Sequence, residues 1–314
     1  MKHSPSMKSQ IKIGTRTSKL ALYQAELVRS QLIQAHPGLQ VEIVKIKTTG
    51  DLVHNRPIED LGPGIFTREI EKALLDREID LAVHSAKDMA TNLPEGLEIG
   101  AVLEREDPCD CLVSRGGIKL QDLPKGARIG TSSLRRRAQL KRLRGDLEIS
   151  EIRGNVDTRI RKIEAGEYDG MVIALAGLKR LTLHHYASEI FSQDQFLPQA
   201  GQGALAIEIR TGDLEIQKLI APLNDSETMI ALRAERSFLR EIEGGCQVPA
   251  GISTKQENGT LTLTGGIFSP TEDRQVRKSV SGASEDAETL GKNLAQLILK
   301  FGGAEILDEI RNEK

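Results

Sequence analysis

The chain has 314 residues, 28% charged and 39% hydrophobic, and its 43 Lys and Arg against 45 Asp and Glu leave a formal net charge of −2. That length supports two or three domains with a sizeable core, so folding needs neither disulfides nor a structural metal, and the charge balance argues against a globally basic nucleic-acid binder. Aromatics reach only 3% with no Trp, which makes the core aliphatic and leaves few stacking platforms for single-stranded nucleic acid.

In chain order, the opening MKHSPSMKSQ is polar and lacks the apolar stretch of a signal peptide. IKIG (11–14) reads as a strand. Residues 18–35 carry Ala21, Ala25, Val28 and Leu32 on one helical stripe, with Ser18 as N-cap and Pro37-Gly38 as the stop. VEIVKIK (41–47) alternates as a strand. Residues 49–64, rich in Gly and Pro, read as a long loop of the length seen in functional lids. A helix is predicted over 66–77, then strands over 79–83 and 97–103. After EREDP (104–108) come strands CLVS, ARIG, LEIS and MVIAL, with helices over 133–143, 155–165 and 176–182, and one more buried strand, ALAIEI (204–209). This alternation predicts parallel sheets with helices on both faces. Beyond residue 225 the pattern changes to a helix (226–243), a strand (250–256), the turn Asn258-Gly259 before LTLTG, and a closing helical stripe through Ala287, Leu290, Leu294, Leu297 and Phe301. That is an α+β tail. The longest apolar run, 171–178, is too short to cross a bilayer, and three Cys fit a reducing compartment, so a soluble cytoplasmic protein is expected.

Three clusters could carry chemistry. RIGTSSLRRRAQLKRLRG (128–145) contains seven basic side chains and no acid. Its GTSS segment lies between a strand and a helix, where exposed N–H groups favour anions. Cations in a first helical turn oppose the dipole, so Arg135 and Arg136 sit at a cost that a bound anion would offset. Charge alone leaves a solvated basic face as an equal alternative. Arg16, Arg153, Arg159 and Arg180 fall near strand ends or early in helices, the edge where open α/β sheets bind ligands, and guanidinium forks hold carboxylates bidentately. No nucleotide motif accompanies them. AVHSAKDM (82–89) delivers His84, Ser85, Lys87 and Asp88 from a buried strand. An ionised carboxylate there can stabilise a developing cation; the alternative is an ordinary polar turn capped by Asp88. EGGCQVPAG (243–251) puts Cys246 on a tight loop, either reactive or structural. Cys109-Asp110-Cys111 is half a metal site without a second pair, and strand alternation alone puts both thiols on one face, so no metal is expected.

Together these segments resemble one family, hydroxymethylbilane synthase, also called porphobilinogen deaminase. The resemblance spans nearly the whole chain, through GTRTSKLAL (14–22), KTTGD (47–51), AVHSAKD (82–88), EREDP (104–108), GTSSLRRR (130–137), RGNVDTR (153–159), LAGLKRL (175–181), AGQGALAIE (200–208) and EGGCQVP (243–249). It implies an α/β fold: two lobes like those of type II periplasmic-binding proteins, with mixed, mainly parallel sheets and an active cleft between them, plus a small α+β C-terminal domain. The implied partition is 8–103 plus 204–221, 109–197, and 225–314. It implies a dipyrromethane cofactor held by a thioether to Cys246. The implied activity joins four porphobilinogen molecules head to tail with loss of ammonia, then releases hydroxymethylbilane with water, in tetrapyrrole biosynthesis.

By motif match, Asp88 is the catalytic carboxylate. Lys87, Ser85, Thr131, Ser133, Arg135 and Arg136 hold the cofactor, and Arg16, Ser18, Arg153, Arg159, Arg180 and Gln202 hold substrate and the growing chain. Porphobilinogen bears an acetate and a propionate, which suits arginines gathered in a protein of near-zero net charge. The family further implies a monomer without nucleic-acid or membrane partners. The chain departs from the family pattern at LGPGIF (61–66), which lacks the usual lysine, at Lys19, and at Met89-Ala90. Two rival readings are a non-catalytic binding protein for a small dicarboxylate, which gives Cys246 no task, and RNA binding through 128–144.

Overall fold

In the computed structural model, which describes residues 8–52, 64–243, 248–270 and 274–312, the chain separates into two units, Met1–Arg105 with Ala204–Met229 and Glu106–Gly203 with Ile230–Lys314. The elements run β1 (Gln10–Thr15), α1 (Lys19–Ala35), β2 (Gln40–Lys45), α2 (Thr49–Leu52), α3 (Arg68–Leu75), β3 (Leu81–Ser85) and β4 (Leu97–Val102). After the chain passes into the second unit come β5 (Asp110–Ser114), β6 (Arg128–Gly130), α4 (Leu134–Leu143), β7 (Glu148–Ser150), α5 (Val156–Glu164), β8 (Gly170–Ala174), α6 (Leu175–Arg180) and β9 (Glu189–Ile190). It returns through β10 (Leu205–Arg210), α7 (Leu214–Ile220) and α8 (Ser226–Glu241), and ends with β11 (Ala250–Glu257), β12 (Thr260–Phe268), β13 (Gln275–Ala283), α9 (Ala287–Ile298) and α10 (Ala304–Asn312).

The first unit holds a sheet of order β2-β1-β3-β10-β4, the second one of order β7-β6-β8-β5-β9. In each, two parallel pairings are followed by two antiparallel ones. Four strands therefore run one way and a single strand, β10 or β5, runs against them. That strand is the one by which the chain enters from the other unit, which is why the all-parallel sheets predicted by simple alternation become mixed, mainly parallel ones. The α/β class is as expected. The β11-β12-β13 sheet is antiparallel and falls in the second unit, which takes in 109–197 and all of 225–314 except its first five residues.

Local sequence explains the elements that position the site. Ser18 caps α1 by accepting from Ala21 N at 3.3 Å. The α1 stripe Ala25, Val28 and Leu32 packs with Ile11, Leu81 and Ile207 in one buried cluster, each large aliphatic contributing about 1.5–3 kcal/mol. Part of the predicted 49–64 loop is helical (α2), and residues 53–63 lie outside the described residues. Strand β13 escaped prediction because its outward positions are polar: Ser279 and Ser281 share hydrogen bonds with Thr264 and Thr262. The closing stripe breaks where Gly302 adopts φ 107, a conformation that favours glycine, and Phe301, expected in the core, is 55% exposed.

Candidate active site

In the first unit β3 ends in a short turn, Ala86–Asp88, pinned by Ala86 N donating to Ala204 O at 3.0 Å. Asp88 and Lys87 are half-buried on that turn. A small recess is lined by Arg16, Ser18, Gln24, His84, Ser85 and Asp88, among others. Among the described residues nothing hydrogen-bonds or ion-pairs with the Asp88 carboxylate. Ser85 is tied to Gln24 of α1, which donates from Nε2 to Ser85 Oγ at 3.0 Å. Arg16 pairs with Asp51 through Nη2 and Oδ1 at 2.5 Å and lies 4.1 Å over the Phe66 ring. Burial raises the Asp51 carboxyl, but the Arg16 hydrogen bond and charge outweigh it and leave it below its ordinary value.

Behind β3 lies a buried trio of which the sequence singled out only His84. His84 Nε2 meets Glu208 Oε2 of β10 at 3.1 Å, and Glu71 of α3 is also buried. Burial raises the Glu71 carboxyl; the Thr67 hydrogen bond opposes this, and the charge of Glu208 adds to it. The folded state thus holds this proton more tightly than the unfolded chain, and stability is lost as pH rises from the ordinary glutamate range through the raised value. Glu71→Gln removes that loss. Its melting temperature should exceed the parent's at neutral pH, by about 2–4 °C per kcal/mol recovered, and converge with it under acid conditions. A uniform shift at every pH would contradict the assignment.

In the second unit, β6 and α4 present the basic cluster. Ser133 caps α4 by accepting from Arg136 N at 3.4 Å, and Thr131 Oγ1 accepts from Ser133 N at 3.2 Å. Both hydroxyls keep an O–H to donate. Arg135 and Arg136, 3% and 8% exposed, share one carboxylate: Asp110 Oδ2 lies 2.7 Å from Arg135 Nη1 and Oδ1 lies 2.7 Å from Arg136 Nη2. Asp110, read from sequence as part of a half metal site, is instead the counter-ion of both arginines. The flanking Cys109 and Cys111 thiols are pushed up to about 12, chiefly by burial, which keeps them protonated at neutral pH.

Arg135 also donates from Nη1 to Leu197 O at 2.5 Å, yet its Nε and Nη2 are buried without a partner. A guanidinium keeps its proton inside proteins, so this edge carries an electrostatic cost that a ligand carboxylate would relieve. Arg159 is similar. Its Nε donates to Gly154 O at 2.7 Å, and burial, with Arg136 nearby, pushes it down to about 10, leaving it charged at neutral pH. Gly154, at φ 109, makes the turn that brings that carbonyl to Arg159; a Cβ there would meet the Thr158 side chain at 2.8 Å. Arg153 is held by Glu151 Oε1 at 2.6 Å, and Arg180, in the last turn of α6, donates to Gly203 O at 2.6 Å.

Not every predicted residue lines an open surface. Gln202, expected to contact substrate, is fully buried and donates from Nε2 to Pro108 O at 2.7 Å and Asp110 Oδ1 at 3.1 Å. It works as an internal strut where the chain passes between units, because a side-chain amide there can satisfy both a carbonyl and a carboxylate. Lys141 is spent on the carbonyls of Gly145 and Leu147 beyond the α4 C-terminus, and Arg144 on those of Leu120 and Leu123. A larger cavity in the second unit, about 420 Å³, lies among Val113, Gly116, Ile160, His185 and Tyr186 and includes none of the predicted residues. Cys246 lies outside the described residues.

An α/β protein that, among its described residues, keeps buried guanidinium donors unmet and a carboxylate unpaired at a recess has the make-up of an enzyme handling polycarboxylate molecules. Residues 11–218 match the family profile "Porphobilinogen deaminase, dipyromethane cofactor binding domain", and residues 229–300 match "Porphobilinogen deaminase, C-terminal domain". A porphobilinogen deaminase of Syntrophobacter fumaroxidans is 46% identical over 301 residues, covering 96% of this chain and 97% of its own. One of Geotalea uraniireducens is 49% identical over 301 residues, covering 96% and 94%. Among solved structures, the methionine-binding protein MetQ is 13% identical with a TM-score of 0.46, covering 71% of this chain and 93% of its own. The chain belongs to the porphobilinogen deaminase family.

That family carries a dipyrromethane cofactor, and the residues present fit it: the Nε–Nη2 edge of Arg135, unmet among the described residues, and the half-buried Arg159 would be donors for carboxylate side chains on a pyrrole.

Proposed function

We propose that in this chain Asp88 is the catalytic carboxylate, that Cys246 anchors the dipyrromethane through a thioether, and that Lys87, Ser85, Thr131, Ser133, Arg135 and Arg136 hold its carboxylates. Arg16, Ser18, Arg153, Arg159 and Arg180 receive the incoming porphobilinogen and the growing chain. The enzyme is a transferase that condenses four porphobilinogen molecules head to tail with loss of ammonia and releases hydroxymethylbilane by hydrolysis, a step of tetrapyrrole biosynthesis. The cofactor, when bound, supplies the pyrrole carbon at which growth begins.

The residues' tasks follow from charge. Loss of ammonia from porphobilinogen leaves an electron-poor methylene pyrrole, which is a cation. Asp88, with no competing cation paired to it among the described residues, offsets that charge and accepts a hydrogen bond from a pyrrole N–H. The arginines neutralise the acetates and propionates that accumulate with each addition. Orienting those carboxylates bidentately holds the reacting carbons in register, which lowers the barrier by positioning. The single observation carrying this reading is that Arg135 and Arg136 share one acid while two buried Arg135 donors stay unmet.

The reading extends to a cytoplasmic monomer without nucleic-acid partners, with the three-domain partition 8–103 plus 204–221, 109–197 and 225–314. Among the described residues no helix is long and apolar enough to cross a membrane. Intact-mass measurement of the purified chain tests the assignment of Cys246. An adduct of about two pyrrole units is expected, growing in single-ring steps after porphobilinogen is added, and absent in Cys246→Ser. A full-mass adduct surviving in Cys246→Ser would sink the anchor. A bare chain that binds porphobilinogen reversibly without turnover would instead support the dicarboxylate-binding alternative.

A further inference from the structure

The His84–Glu208–Glu71 trio has no task in the reaction as described, and it is costly. His84 is 5% exposed, Glu71 5% and Glu208 fully buried. The Oε1 atoms of Glu71 and Glu208 are buried without a hydrogen-bond partner. Replacing such a cluster with aliphatic residues generally preserves or improves stability, so packing alone does not account for it. Its surroundings do. On β10, Glu208 meets His84, and Arg210 two residues on donates from Nη1 to Leu74 O and Ile79 O at 2.9 and 2.8 Å, clamping the end of α3 and the approach to β3. Arg68, on α3, is the further charge acting on Glu71. At the next position of β3, Ser85 is gripped from α1 by Gln24. The end of β3 is thus fixed by His84 and by Ser85, and the Ala86–Asp88 turn follows directly. His84 and Asp88 line the same recess.

We propose that His84 is a positioning residue for Asp88: its imidazole, bonded to Glu208 and backed by Glu71, locks the end of β3 so that the following turn presents the Asp88 carboxylate to the recess. The inference rests on Asp88 being the catalytic carboxylate. Displacements of about 1 Å that originate away from the reacting atoms can cost up to about 10²-fold in rate, so a defect here should fall on kcat and spare binding.

The test uses holoenzyme of His84→Leu, His84→Gln and Asp88→Asn. His84→Leu should carry the same covalent adduct as the parent, keep KM for porphobilinogen within about twofold and lose at least about tenfold in kcat. His84→Gln, whose amide can donate the same bond to Glu208, should recover kcat to within about threefold of the parent. Parental kcat in His84→Leu overturns the proposal. So does a His84→Gln enzyme as slow as His84→Leu at equal melting temperature, because the ring's own protonation would then matter instead of its bond. Should His84→Leu fail to fold, Glu208→Leu removes the acceptor of His84 while keeping the bulk of the side chain. A kcat loss at unchanged KM supports positioning there, and parental kcat refutes it. An active Asp88→Asn enzyme overturns the reading of Asp88 itself, whatever the His84 variants do.

Discussion

Asp88→Asn should lower turnover by about 10²–10³-fold, the scale seen when one electrostatic stabiliser is removed from a transition state, while the intact mass still shows the cofactor. The substitution is nearly isosteric, and no described residue is paired with the carboxylate, so no neighbour is stranded when its charge disappears. What goes is the countercharge for the methylene-pyrrole cation. The amide can still accept a hydrogen bond from a pyrrole N–H, so loading should survive and chain growth should stall. The check is single-turnover kinetics with mass spectrometry. An enzyme lacking the adduct would mean that Asp88 serves cofactor assembly, and full turnover would mean that another group meets the cation.

The course of the chain through strands and helices was legible because it is written in apolar spacing: Ala21, Ala25, Val28 and Leu32 form the buried stripe of α1, and Ser18 and Ser133 cap the helices they precede. Strand direction was not legible. It depends on where β5 and β10 enter their sheets, which involves residues roughly 60 and 120 positions apart. β13 was invisible because a strand exposed on one face, with Ser279 and Ser281 outward, shows little apolar alternation.

For the site, residue types were readable and partners were not. A run of arginines without acids left an anion site and a solvated face as equal readings, and Asp110, between two cysteines explained by strand alternation, was not recognised as its counter-ion. Glu208 could have been flagged: a carboxylate inside the apolar run ALAIEI must find a partner when buried, and His84 is that partner. Gln202 lay in a motif that the resemblance assigned to substrate, whereas its amide is consumed internally. Motif position predicts proximity to chemistry; only packing says whether an atom is left over for a ligand.

Arg135 makes the sharpest case of such leftover capacity, and Arg135→Ala should yield a folded protein without the adduct. Folding should survive because Asp110 keeps Arg136 at 2.7 Å and Gln202 at 3.1 Å, so no buried charge is abandoned. The losses are the bond to Leu197 O and the packing over Phe196, a cost below the roughly 3–5 kcal/mol of breaking a buried ion pair outright. Asp110→Asn is the contrasting variant. It leaves two adjacent guanidiniums with no acid between them, and the full roughly 3–5 kcal/mol penalty should appear as a lower melting temperature. Added anions should partly restore it, since any carboxylate reaching the Nε–Nη2 edge of Arg135 supplies the missing charge. The two variants therefore separate two tasks of one cluster: a melt lowered less in Arg135→Ala than in Asp110→Asn, with cofactor lost, assigns Arg135 to the ligand, whereas a collapsed melt with cofactor retained assigns it to the fold.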